Sequence, residues 1–447
     1  MVAQDSTTMT SVWPAGTHRN DRGELVIGGV PVAEIAREHG TPVYIYDEEA
    51  LRDAMRRYRD AFAQELPGSR VVYAGKAFLT TALVEMLVEE GLGLDVVSGG
   101  ELFAGLRAGM PAERISLHGN NKGRDELAMA LDAGIGKVIV DNLDEIDLLA
   151  GLCADRAEPL TVLLRVNPGV DVHTHKKIST GVADSKFGLP IADGKAAEAV
   201  ARLVATPGLR LAGYHAHVGS QLFDPEASVD SVAEMLDFAV VMRDRHGVEL
   251  EQLSPGGGFG IAYVDTDRPL SPEAWADLIG AAVRDGCAER GLPLPMVIVE
   301  PGRAIAGPAG VAVYRVGARK ALPGVRTYVS VDGGMADNIR PTLYDAVYSA
   351  ALANREGGVE RETVTIAGKY CESGDLLIED IDLPVLERDD LLAIPAAGAY
   401  CLAMASNYNM APRPAVVLVQ DGQTRLMRRR ETYEDLMRMD VRAAQGA

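Results

Sequence analysis

The stretch VVYAGKAFLTTALVEMLVEEGLGLDVVS (71–98) reads as strand, helix, strand. Its two ends, VVYAGKA (71–77) and GLDVVS (93–98), are short, apolar and rich in β-branched residues. Between them TALVEMLVEEG (81–91) places apolar residues at helical spacing and stops on a glycine. The same alternation recurs outward along the chain. Further strands are predicted at ISLHGN (115–120), KVIVDN (137–142), TVLLRVNP (161–168), LRLAGYHAHV (209–218), LEQLSPGGG (250–258) and MVIVEPG (296–302), with helices such as EMLDFAVVMRDRHG (234–247) between them. Eight strands, each followed by a crossover, over about 250 residues are the pattern of a (β/α)8 barrel. A doubly wound sheet is the competing arrangement, and the count of eight favours the barrel.

The pattern changes after residue 305. GVAVYRVGARKAL (310–322), TYVSVDGG (327–334), ETVTIAGKY (362–370), DLLAIPAAGAY (390–400) and AVVLVQDGQTRLMRRR (415–430) look like half-buried antiparallel strands separated by turns. ELVIGGVPV (24–32) and TPVYIYD (41–47) are similar. The expected organisation is an N-terminal arm (1–48) that joins a C-terminal β domain (306–447), with the barrel spanning 49–305. No internal repeats or low-complexity tracts interrupt it.

Composition narrows the function. Of 447 residues, 47% are apolar and 24% charged, ample for two globular cores. The formal net charge of −20 repels a phosphate backbone, so nucleic acid is not an expected partner. Cys153, Cys287, Cys371 and Cys401 are scattered without zinc-type spacing, which suggests free thiols in a reducing compartment. The opening MVAQDSTTMTSVWPAG lacks the basic start and apolar core of a signal peptide, and no apolar run suits a membrane span. A soluble cytoplasmic protein, with no membrane partner and no metal, is expected.

In a barrel the C-terminal strand ends face the active site. Those ends carry Lys76, Asp95, His118 with Asn120, Arg165, His217, the Gly256–Gly258 run and Glu300. Singly, each is as readily explained by strands turning polar where they end; together they are not. Lys76 closes an apolar strand, where a buried ammonium needs an anion or a carbonyl to react with, and the plain alternative is a surface lysine. Gly256, Gly257 and Gly258 leave backbone N–H groups open to phosphate, although such runs also make simple turns. Glu300, in EPGR (300–303), can keep a heteroaromatic nitrogen protonated, and Arg303 can fork onto carboxylate or phosphate. His217 can stack on a ring, though a lone histidine is more often packing.

The strings YAGKA (73–77), HAHVGSQ (215–221), GGGFG (256–260), EPGR (300–303), CESGD (371–375) and GAYC (398–401) resemble the fold-type III family of pyridoxal-phosphate-dependent decarboxylases. That family includes the ornithine, arginine and diaminopimelate enzymes, and the strings follow its order over nearly the whole chain. HGNNK (118–122), HTHKKISTG (173–181), SKFG (185–188) and VDGGMADNIRPTLY (331–344) are similar to its diaminopimelate branch. The resemblance implies an alanine racemase-like fold: a barrel plus a mostly antiparallel β domain. It implies pyridoxal 5'-phosphate as cofactor, with Lys76 bonded to it and His217 stacked on its ring. Ser220, the three glycines, Gly302, Arg303 and Tyr400 would hold its phosphate, and Glu300 its ring nitrogen. Arg303, Arg340 and Tyr344, with Tyr400 nearby, would grip the distal carboxylate of an amino-acid substrate, and Glu372 its distal amine. Cys371 or Lys76 would return the proton to Cα. The family's sites form across a homodimer, the Cys371–Glu372 loop coming from the partner subunit.

Alanine racemases of the same plan place an arginine at the position of Glu300, so Glu300 argues for decarboxylation over racemisation. One departure stands out: Ser254-Pro255 precede the glycines where the family often has an aspartate. A decarboxylase of another amino acid and a non-catalytic relative are the remaining alternatives. The polar and reactive residues outside these strings read as background. His173 and His175 suit a loop, RRRETYEDLMR (428–438) a solvated helix with i,i+4 charge pairs, and Cys153 and Cys287 buried packing.

Overall fold

A computed structural model describes residues 9–170 and 185–441; HTHKKISTG (173–181), with His173 and His175, lies outside them. All eight expected strands form: β1 (Arg70–Ala74), β2 (Gly93–Val96), β3 (Ile115–Leu117), β4 (Lys137–Val140), β5 (Leu160–Asn167), β6 (Leu209–His215), β7 (Gln252–Gly256) and β8 (Met296–Val299). Each pairs in parallel with its sequence neighbours, and β8 returns to β1, so the sheet is a closed barrel and not a doubly wound one. Val72, Ile139, Leu163, Ala212 and Ile298, from five of the strands, fill a layer of its interior. The following helices start where a strand-end side chain caps them. Thr80 accepts the Leu83 N–H at 3.2 Å, Ser98 that of Glu101 at 3.2 Å and Asn142 that of Glu145 at 2.9 Å.

The chain divides into two compact units. One comprises Arg52–Ile261 and Arg268–Ile305 and contains the barrel. The other gathers Met1–Leu51, Ala262–Asp267 and Ala306–Ala447. Its longer strands after residue 305 are β9 (Gly310–Leu322), β10 (Arg326–Val331), β11 (Arg361–Ala367), β12 (Leu376–Pro384), β13 (Leu391–Ile394), β14 (Ala415–Gln420) and β15 (Gln423–Arg428), and the two-residue strand Ala351–Leu352 pairs with β13. The earlier strand Val43–Asp47 lies between β9, antiparallel to it, and β14, parallel to it. Antiparallel pairing dominates elsewhere, with β10–β11 the other parallel step. Alternate residues Val43 and Ile45, Val311 and Val313, and Val417 and Val419 turn one face inward onto Leu25, Ile27 and Trp13, which is the period of two that a half-buried strand requires.

Two expectations need correction. RRRETYEDLMR (428–438) is not one helix: only Tyr433–Met437 is helical, Arg428 ends β15, and Arg429 pairs with Asp435 across the turn. Thr432 breaks the run by acting as N-cap, accepting the Asp435 N–H. Lys76 does not end a buried strand either. β1 stops at Ala74, and Lys76 stands exposed in the 3-10 turn Gly75–Ala77. Cys153 and Cys287 are buried free thiols, as expected of packing residues.

Candidate active site

The strand ends of the barrel unit gather a charged, mostly buried set. Glu300, one residue beyond β8, is 9% exposed. Its carboxylate meets the Nε2 of His215 at 3.0 Å and accepts the Ser254 hydroxyl at 2.7 Å. Burial alone would raise this acid, but His215 and His118, with the bonds from His215 and Ser254, hold it well below the usual carboxylate range. Asp95 lies 2.7 Å from the Nε2 of His118. Burial and the charge on Glu300 push Asp95 well above its ordinary value. The two buried carboxyls are thus shifted in opposite directions, and Glu300 is the one whose surroundings favour the charged form.

The histidines around them are neutral. His118 is driven down to about 3 by burial, and His215 is lowered by burial as well. An ionised Glu300 requires His215 to donate from Nε2, which leaves its buried Nδ1 as an acceptor without a hydrogen-bond partner among the described residues. His118, His215 and Glu300 each offer a ligand atom within 4.8 Å of the others, a spacing compatible with a metal, but these atoms already engage one another or Asp95.

His217 lies two residues beyond β6, and its Nδ1 accepts the Gly257 N–H at 3.2 Å. That bond fixes the plane of the imidazole, and burial and the charges of Lys76 and Arg165 hold it neutral. The glycines are required by close approach. A Cβ on Gly257 would lie 2.1 Å from the Glu300 carbonyl oxygen, while Gly256 and Gly258 have φ of +79° and +94°. A Cβ on Gly302 would lie 2.9 Å from that of Ala74. Arg303 donates to the Ser220 hydroxyl at 2.9 Å, leaving the hydroxyl hydrogen free to point elsewhere. Lys76, His217, Ser220, Gly256, Gly257, Gly258, Glu300, Gly302 and Arg303 thus all lie at the C-terminal ends of β1, β6, β7 and β8 or in the segments directly after them, Arg303 as the first residue of the helix Arg303–Ala309.

The other expected residues belong to the β unit. Arg340 is 6% exposed, donates to the Tyr348 hydroxyl and lies 4.5 Å from the Tyr263 ring centroid. Tyr348 in turn lies 3.5 Å from the Cys401 sulfur. The helix Arg340–Tyr344 is tied to the loop carrying Cys371 and Glu372 by Thr342, which donates to the Gly374 carbonyl at 2.9 Å. Asp375 completes the tie by accepting the Met335 and Tyr370 N–H groups at 2.6 and 2.8 Å. Cys371 and Glu372 are exposed, and the Cys371 N–H bonds Asn409 at 2.9 Å. Tyr400 adopts φ of +60°, a strained value for a tyrosine.

Sequence reasoning missed His215, Ser254, Tyr263 and Tyr348. His215 stood in the quoted string HAHVGSQ, whose second histidine drew the attention. Ser254 was noted only as a departure, yet it supplies one of the two bonds on Glu300.

Residues 51–307 match the family model described as pyridoxal-dependent decarboxylase, pyridoxal binding domain. The chain belongs to this family of pyridoxal-dependent decarboxylases, fold-type III enzymes that join such a barrel to a β domain. It is 47% identical over 427 residues to the diaminopimelate decarboxylase of Bacillus subtilis, covering 95% of this chain and 97% of that one. The crystal structure of diaminopimelate decarboxylase from M. jannaschii in complex with L-lysine has a TM-score of 0.91 at 34% identity, covering 97% of this chain and 99% of that one. The Helicobacter pylori enzyme, also complexed with L-lysine, has a TM-score of 0.84 at 30% identity over 91% and 98%. Within the family the chain therefore stands with the diaminopimelate decarboxylases.

Proposed function

We propose that this chain decarboxylates meso-2,6-diaminopimelate to L-lysine and CO2, the last step of lysine synthesis, with pyridoxal 5'-phosphate as cofactor. The observation that carries the chemistry is Glu300: a buried carboxylate kept ionised by His215 and Ser254 at the mouth of β8. Bound pyridoxal phosphate supplies an electron sink for the pair left on Cα when CO2 departs, provided that its ring nitrogen stays protonated. An ionised Glu300 meets that requirement, and the donor set suits the rest of the group. Side-chain-free backbone at Gly256, Gly257 and Gly258, with the Ser220 hydroxyl and the Arg303 guanidinium, fits a phosphate.

In this reading Lys76 would hold the cofactor covalently through its amine. His217, its plane fixed by Gly257, would stack on the ring. Ser220, the glycine run, Gly302, Arg303 and Tyr400 hold the phosphate. Arg303, Arg340 and Tyr344 bind the distal carboxylate, with Tyr400 adding a hydroxyl, and Glu372 binds the distal amine. Cys371 or Lys76 returns the proton to Cα. Burying Arg340 against Tyr263 and Tyr348 supports a specificity role, because a preset guanidinium left without a carboxylate penalises substrates that lack one.

The working enzyme is a homodimer in the cytoplasm, its Cys371–Glu372 loop serving the partner subunit. The exposure of both side chains supports that assignment, and no helix among the described residues is long and apolar enough to cross a membrane. The test is to supply pyridoxal phosphate and measure CO2 release from meso-diaminopimelate, ornithine, lysine and arginine. Release from diaminopimelate alone supports the reading; preference for a diamino acid with one carboxylate overturns it.

A further inference from the structure

The opposite end of the barrel carries a second cluster that the decarboxylation does not use. A cavity of about 390 Å³ opens among the N-terminal ends of β1 to β4. Its wall includes Ser69, Arg70, Glu113, Arg114, Ser116 and Lys137. Arg59 also lines it, but is taken up by Asp60 and Glu90. Arg70, the first residue of β1, and Arg114, just before β3, form no ion pair among the described residues. Lys137, the first residue of β4, is only 8% exposed, and its ammonium has neither a hydrogen bond nor an ion pair among the described residues. Burial and the charge of Arg70 push Lys137 down to about 8. The Ser69 hydroxyl is buried with no hydrogen-bond partner among the described residues.

In a chain of net charge −20, three unpaired cations converging on one cavity against the single carboxylate of Glu113 are out of keeping with the rest of the surface. Like charges repel, and an ammonium buried without an anion costs free energy, so a bound anion would stabilise this arrangement. An ordinary surface patch would pair its cations with neighbouring carboxylates, as Arg57 does with Glu273 and Arg290 with Asp237. Two arginines at the rim can fork onto oxyanions while Lys137 closes the floor as a point charge. Ser69 and Ser116 add hydroxyl donors, and the volume falls within the range of small-molecule sites.

We propose that this cavity is a binding site for a small polyanion with two adjacent oxyanion groups, phosphate or carboxylate, held by Arg70, Arg114 and Lys137. The site is separate from the face that carries Lys76 and Glu300, since its residues begin the strands whose other ends carry that face. It stands whether or not the decarboxylase reading is right.

The experiment is calorimetric titration of the cofactor-loaded enzyme with pyrophosphate and, separately, with citrate. Wild type, Arg114→Ser and Lys137→Met are compared, Arg114→Ser being an exposed change that leaves the fold and the basal activity intact. One saturable site per chain is expected, weakened about tenfold or more by either variant and weakened again by added salt. Binding of pyrophosphate alone identifies a phosphate-bearing ligand, citrate alone a polycarboxylate, and both a site that reads charge without regard to the group. Absence of saturable binding for both probes overturns the proposal. So does equal affinity in wild type and both variants, which would place the anion elsewhere.

Discussion

His215 and Glu300 stand 85 residues apart in sequence, and their side chains meet at 3.0 Å inside the barrel. With Ser254 on the other carboxylate oxygen, the contact fixes both the ionisation and the direction of Glu300. A buried carboxylate without such partners would protonate, and a protonated acid cannot hold the proton of a ring nitrogen.

Glu300→Gln keeps the shape and can still accept from His215, but removes the charge. The variant is expected to fold and bind pyridoxal phosphate while kcat for CO2 release falls by on the order of a hundredfold or more. Steady-state kinetics, with an absorbance spectrum to confirm cofactor loading, checks this; an unchanged kcat would remove Glu300 from the chemistry.

Arg340 reads the far end of the substrate, so its loss should appear in binding. Arg340→Ala is expected to raise KM for diaminopimelate by roughly tenfold to a hundredfold with a much smaller fall in kcat. Tyr348→Phe, which deletes the hydroxyl that accepts from Arg340 but keeps the ring, should raise KM only several-fold. Comparable losses in kcat and KM for both would show that Arg340 supports structure or chemistry instead.

The glycine run tolerates no side chain at its centre. Gly257→Ala would press a Cβ to within 2.1 Å of the Glu300 carbonyl oxygen, which is backbone and cannot step aside. The expected outcome is weakened pyridoxal phosphate binding and a loss of about 2 kcal/mol or more of stability. Equilibrium dialysis and thermal melts measure the two; wild-type cofactor affinity would mean that the run does not hold the phosphate.

Lys137 gives a pH signature. Its pKa is lowered to about 8 in the folded chain, against 10.5 ordinarily, so between these values the unfolded state binds more protons. Stability from this group therefore rises with pH across that window, and the charged form costs on the order of 3 kcal/mol below it. In buffer without polyanions, Lys137→Met should be more stable than wild type at neutral pH, the gap closing as pH climbs from about 8 to 10.5. Chemical denaturation over that range tests it, and a gap independent of pH would refute it.

The barrel was legible in the sequence because each of its strands is a short apolar run, and because family strings fall on the strand ends. The chemistry of Glu300 was only half legible. Its carboxylate could be named from EPGR, but His215 and Ser254 act on it through contacts spanning 85 and 46 residues, which no local pattern encodes. Lys76 shows the opposite failure. A strand-end lysine was read as desolvated, whereas a 3-10 turn lifts it into solvent. The membership of Ala262–Asp267 in the β unit was equally invisible, since a six-residue loop carries no periodicity. That segment contributes Tyr263, the ring against which Arg340 packs.

The proposed chemistry requires one particular amine, that of Lys76, to carry the cofactor. Borohydride reduction of the enzyme with pyridoxal phosphate, followed by peptide mass mapping, reads this directly. A single pyridoxyl adduct on Lys76 is the predicted result. Modification confined to another lysine, such as Lys122 or Lys137, or no adduct at all, would contradict it.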